Sequence, residues 1–206
     1  MKRLFLTSSF SLVAKLFEDF AGEPVKGKKL AFIPTASLVE KVRFYVDDDR
    51  KAFEKLGLII EELEVSTATT EEIATALERN DYIFISGGNT FYLMQELKKK
   101  GADKLLIEQI NNGKLYIGTS AGSVIASPTV EFVSDIDETK KAPELTDYSG
   151  LHLIDFYFLP HYLNLAVSTC KCTARKVKEY FRKNTQKGYE NLIFLSGDGL
   201  FFQQLC

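Results

Sequence analysis

Apolar positions along the chain follow two alternating periods, short runs of strand formers and longer segments with apolar residues every three or four positions. Arg3 to Thr7 reads as a first strand, and Leu12 to Phe20 as a helix with Leu12, Leu16, Phe17 and Phe20 on one side. "KKLAFIPT" is a second strand, ended by Pro34. Arg43 to Leu56 predicts a helix in which Phe44, Ala52, Phe53 and Leu56 are spaced for burial, with Gly57 as its stop. "LIIEELEV" reads as a more exposed third strand, and Thr70 opens a helix through Leu77, with Glu71 and Glu72 in its first turn. "DYIFIS" is apolar almost throughout, the pattern of a central strand covered on both faces. Helices from Phe91 towards Lys100 and from Asp103 to Asn111 lead into a further strand at Leu115-Tyr116-Ile117.

Strand and helix units alternating at these lengths predict an α/β fold, a mostly parallel sheet with helices on both faces. The 206 residues suffice for one full core, so a single domain over residues 1–206 is expected. The pattern then breaks. Residues 127–150 are polar, carry Asp135, Asp137, Glu138 and Asp147, and show little periodicity. A long irregular segment inside a compact domain is more often functional than idle. "LHLIDFYFLPH" returns as a strand ending at Pro160, a basic helix is expected from Val167 to Phe181, and "NLIFLSGDGLFFQQLC" supplies one or two closing strands.

Composition narrows the function classes. A net charge of −2 gives no electrostatic reason to expect nucleic acid or an anionic membrane as partner. No stretch approaches a membrane span, and the apolar part of "MKRLFLTSSF" is too short for a signal-peptide core. Cys170, Cys172 and Cys206 are odd in number and lack zinc-site spacing, so reduced thiols in a cytoplasmic protein are expected, with no metal.

The stretch "KLYIGTSAGSVIA" holds a serine where a strand pattern turns into a helix pattern. Gly118 and Gly122 flank Ser120 two residues away on each side, which suits a turn too sharp for neighbouring bulk. Ligands of open parallel α/β sheets bind beyond the carboxyl ends of the strands, where this turn falls. At a helix start, backbone N–H groups without internal partners can stabilise a developing oxyanion. Ala121 is the first such donor, and "SGGNT" after the buried strand offers a second at Gly87 or Gly88. The motif alone is weak, since serine and glycine are common in turns and a plain helix cap would look similar.

A serine nucleophile needs a base and a group to orient that base. The chain has two histidines. His152 shares a predicted strand face with Ile154 and Phe156 and reads as structural. His161 follows Pro160 at a strand's carboxyl end and is the better base. Asp198, after the strand Leu192 to Leu195, is the preferred orienting acid because a strand end holds it more rigidly; Asp135 in the long loop is the alternative.

"FISGGNTF", "YIGTSAGS", "SPT" and "LPHY", in that order and spacing, resemble the aspartyl dipeptidase (peptidase E) family of serine peptidases, which includes cyanophycinase-like enzymes. The resemblance implies a class I glutamine amidotransferase-like, flavodoxin-like three-layer architecture. It implies Ser120 as nucleophile, His161 as base, and Gly88 and Ala121 as oxyanion-hole donors. For the acid, the resemblance admits both Asp198 and Asp135. Two departures stand out. The arginine-glutamate pair common in members that cleave after aspartate has no counterpart in "CKCTARKVKEY", and the chain stops soon after Gly199.

The expectation is therefore a cytoplasmic serine exopeptidase, monomer or homodimer, acting on small peptides without cofactor. An esterase or amidase on the same site, or an inactive binding module, are the alternatives.

Overall fold

The computed structural model describes residues 2–162, 192–196 and 200–204. Strands β1 (Arg3–Thr7), β2 (Lys29–Ile33), β3 (Ile59–Glu62), β4 (Tyr82–Ile85) and β5 (Leu115–Thr119) form a parallel sheet in the order β3-β2-β4-β5-β1. Two later strands, β6 (Tyr157–Tyr162) and β7 (Leu192–Ser196), pair in parallel as a separate ribbon. A last strand, β8 (Leu200–Gln204), joins the main sheet antiparallel to β1. The fold is the expected α/β architecture.

The period-two alternation of the strands builds two cores, one on each face. In β4, Tyr82 and Phe84 point to one face and Ile83 and Ile85 to the other, and all four are buried. The first face is covered by α1 (Phe10–Val13), α2 (Phe17–Ala21) and α3 (Phe44–Lys55). Its interior is aromatic: Phe10 stacks on Phe53 with centroids 3.9 Å apart, and Phe5, Phe17 and Phe84 surround the pair edge-on. Such large side chains supply much of the apolar area that the fold removes from water. The second face is covered by α4 (Thr70–Arg79), α5 (Thr90–Lys99), α6 (Ala102–Asn111) and α7 (Ala121–Val124). Helix α4 opens on a capping box, Thr69 accepting from the Glu72 N–H while the Glu72 carboxylate accepts from the Thr69 N–H.

Three local expectations need correction. The predicted helix from Leu12 to Phe20 is broken into α1, a 3-10 turn at Ala14–Leu16, and α2. Each change of pitch rotates the side chains, so Phe10, Val13 and Phe17 are buried while Leu12 stands exposed. Helix α3 buries Val46, Asp49 and Phe53 and leaves Phe44 in the open. The strand expected to start at Leu151 starts at Tyr157 and runs past Pro160 to Tyr162. His152 therefore lies outside any strand, at φ 48°, with its exposed ring 3.3 Å from Asp155. The helix expected over 167–181, Cys170, Cys172 and Cys206, and Asp198 lie outside the described residues.

The irregular excursion over 127–150 is held along α5 by polar contacts. The Asn89 side chain donates to the Glu138 carbonyl at 3.2 Å, and Asp137 Oδ2 accepts from the Thr90 N–H at 2.9 Å. Further along, the Glu144 N–H donates to Gln95 Oε1 and Lys98 pairs with Asp147. No helix among the described residues is long and apolar enough to cross a membrane.

Candidate active site

Strand β5 ends at Thr119, α7 begins at Ala121, and Ser120 makes the whole turn between them at φ 50° and ψ −110°. A non-glycine residue there is strained, and such strain persists only where the surroundings enforce it. They do so at close range. A Cβ on Gly122 would lie 2.2 Å from the Ile85 carbonyl oxygen, and one on Gly118 would lie 2.7 Å from the Gly122 carbonyl oxygen. The buried Tyr116 hydroxyl donates to that same Gly122 carbonyl. Ser123 Oγ accepts from the Thr7 N–H at 3.0 Å and is 2.8 Å from the carbonyl oxygens of both Thr7 and Gly118. The Ser120 hydroxyl makes no capping bond to α7, so it is not a helix cap. It is left free to point at the cleft.

His161 Nε2 lies 3.0 Å from Ser120 Oγ. Its strand explains how it arrives there. The pairing of β6 with β7 slips between Leu159 and Tyr162, and His161 sits in that irregularity at φ 59°. A bulge re-aims a side chain that regular pleating would send elsewhere, and it also tolerates Pro160. Two buried serines fix the strand against the sheet: the Phe158 N–H donates to Ser127 Oγ and the His161 N–H donates to Ser8 Oγ, both at 3.1 Å. Burial holds the His161 imidazolium below the ordinary histidine pKa, so the ring is neutral near pH 7 and its nitrogen is available as a base.

The backbone on the far side of the serine is glycine by necessity. Gly88 sits at φ 139°, and a Cβ there would lie 2.2 Å from the Ala36 carbonyl oxygen. A Cβ on Gly87 would come within 3.1 Å of the Ser120 Cβ, so the Gly87-Gly88 turn lies against the serine. The next N–H, that of Asn89, is taken up by the Ala36 carbonyl, whereas those of Gly88 and Ala121 find no acceptor among the described residues. Unclaimed backbone donors of this kind, one in the turn packed against Ser120 and one at the residue after it, are what an oxyanion requires.

Ser120, His161, Gly87 and Gly88 line a cleft of about 970 Å³ over the carboxyl ends of the parallel strands. Asp137 is set into the cleft lining, where burial pushes its carboxyl pKa up and the Thr90 N–H partly offsets the shift. Asp135 is not part of the cleft. It is exposed and lines a separate shallow depression formed by residues 134–140. Ser8, Ser123 and Ser127 were given no role from the sequence, although Ser123 closes "YIGTSAGS" and Ser127 opens "SPT"; their contacts to Thr7, Phe158 and His161 show what they hold.

A model of Peptidase family S51 matches residues 4–199. The chain belongs to that family. An uncharacterized peptidase of Listeria monocytogenes is 49% identical over the full length of both chains. One from Pasteurella multocida is 51% identical, over 80% of this chain and 79% of its own. Peptidase E of a Nostoc strain is 30% identical, over 81% of this chain and 68% of its own. Among solved structures, a Listeria monocytogenes protein described as a peptidase E candidate superposes with a TM-score of 0.85, at 46% identity and full coverage of both chains. A peptidase from an acI-B1 Actinobacterium shares the fold at a TM-score of 0.61 and 21% identity, over 86% of this chain and 75% of its own. As an S51 member the chain is a peptidase.

Proposed function

We propose that the chain is a serine exopeptidase that hydrolyses small peptides, dipeptides among them, through an acyl-enzyme on Ser120. The observation that carries this reading is the 3.0 Å contact between Ser120 Oγ and His161 Nε2. His161 takes the hydroxyl proton as Oγ attacks the scissile carbonyl, and the C–O bond forms while the carbonyl oxygen gains the negative charge. The N–H groups of Gly88 and Ala121 receive that charge. His161 then passes the proton to the departing amine as the C–N bond breaks, and water repeats the sequence on the ester. The lowered pKa of His161 supports the base role, because it keeps the ring unprotonated when attack begins.

Asp198 is the acid we assign to orient His161. The strand register supports the choice: Ser196, two residues before it in sequence, pairs with Tyr162, the neighbour of His161. The exposed position of Asp135, away from the cleft, weighs against the loop alternative. No step in this reading calls on a metal or organic cofactor.

Hydrolysis of a dipeptide panel by the parent protein, Ser120→Ala and His161→Ala tests the assignment. Loss of at least about a thousandfold in kcat for both variants is expected, with unchanged thermal unfolding. Parent-like turnover by Ser120→Ala would refute it.

A further inference from the structure

Three large apolar side chains stand in water where the core has no use for them. Leu12, Val42 and Phe44 are 60%, 59% and 65% exposed, and all three line the cleft of Ser120 and His161. They are half of the six large hydrophobics left exposed among the described residues. Exposed apolar side chains gathered at one concavity mark a ligand surface, whereas isolated ones need no explanation.

The three form one wall. Leu12 belongs to α1, Phe44 opens α3, and Val42 lies just before it. The two helices are locked together by the Phe10–Phe53 stack and by the Ser11 N–H, which donates to Asp49 Oδ1 at 2.9 Å. The wall is continuous with the reacting pair, because Ser8 and Ser9 line the cleft just ahead of α1 and Ser8 also holds the His161 backbone. Charge on the lining is largely neutralised. Lys141 pairs with Glu40 at 2.9 Å and Glu138 at 3.5 Å, and Lys140 pairs with Glu138 at 2.7 Å. Lys41 is the lining cation without an ion pair among the described residues.

We infer that the site selects peptides carrying an apolar side chain beside the scissile bond, seated on Leu12, Val42 and Phe44, and discriminates against acidic side chains. A carboxylate would lose its water against this wall, and pairing with Lys41, which is exposed to solvent, would return little of that cost, whereas a leucine or phenylalanine side chain covers apolar surface already presented. The inference rests on the serine-exopeptidase reading above and adds its substrate class.

The test is kcat/KM on dipeptides with leucine, phenylalanine, glycine or aspartate at each position, for the parent protein, Leu12→Ser, Phe44→Ser and Ile59→Ser. Because these side chains are exposed, their replacement leaves folding intact; Ile59, on the outer strand β3, serves as a control away from the cleft. The parent is expected to favour leucine or phenylalanine peptides over aspartate peptides by about tenfold or more. In Leu12→Ser and Phe44→Ser the leucine-to-glycine ratio should fall about tenfold, mainly through KM, with Ile59→Ser like the parent. A parent that prefers aspartate peptides, or variants that slow every peptide equally, would overturn the inference while leaving the serine mechanism in place. Turnover that persists in Ser120→Ala would remove both.

Discussion

Ser120 and His161 lie 41 positions apart in the chain, yet the serine hydroxyl and the imidazole Nε2 are 3.0 Å apart, and both residues hold positive φ angles, 50° and 59°. Each is forced out of regular structure at the same place, one at a strand-to-helix turn and the other at a bulge.

The pH dependence of hydrolysis follows from the burial of His161. Its lowered pKa means that kcat/KM should rise with pH through a midpoint below the ordinary histidine value of 6.5 and level off above it. A pH profile in non-nucleophilic buffers checks this. A midpoint at or above 6.5 would point to another base.

Gly122 tests the packing behind the nucleophile. The Gly122→Ala methyl would fall 2.2 Å from the Ile85 carbonyl oxygen, backbone against backbone, and neither side can move cheaply. Destabilisation of about 1–3 kcal/mol is expected from such overpacking, together with a large loss of kcat as the turn shifts. Urea unfolding and steady-state kinetics on the same preparation read both.

Ser123 is a second support. Its hydroxyl joins β1 to the turn through Thr7 and Gly118, fully buried. Ser123→Ala leaves the Thr7 N–H without its acceptor, at a cost of about 1–3 kcal/mol. Ser123→Thr retains the hydroxyl and Ser123→Cys approximates its size, so partial recovery in either separates the hydrogen bond from the volume.

Asp49 makes a stability prediction away from the chemistry. Burial raises its carboxyl pKa from 3.8 to about 7, the Ser11 N–H and neighbouring hydroxyls only partly opposing it. A folded-state pKa above the unfolded value means the group costs nothing below pH 3.8. The cost then grows as pH rises towards 7 and is constant above. The stability of Asp49→Asn relative to the parent should therefore increase between pH 4 and pH 7 and then stay level. Urea midpoints of the two proteins across that range measure it; a difference independent of pH would contradict the buried-acid account.

Much of the scaffold was legible because short apolar runs of strand formers alternate along the chain with longer segments of helical spacing. "DYIFIS" predicted a strand covered on both faces, and β4 is that strand. Helix faces were less legible. Leu12 and Phe44 fit a buried spacing on paper, but the 3-10 turn after α1 and the burial of Asp49 on α3 rotate both into the cleft. Local pattern cannot register a change of pitch, nor a carboxylate drawn inward by a neighbouring N–H. At the site, the glycines around Ser120 announced the turn. The bulge at His161 had no such signature beyond Pro160, and the serines that hold β6 in place act through contacts spanning 31 and 153 residues.

The most direct test of the central claim is fluorophosphonate labelling of the intact protein, followed by peptide mapping of the modified residue. The account predicts one phosphonyl adduct per chain on Ser120, formed rapidly in the parent protein, strongly slowed in His161→Ala, and blocking dipeptide hydrolysis in step with its formation. Adduct on another residue, or full hydrolytic activity in protein quantitatively labelled at Ser120, would contradict it.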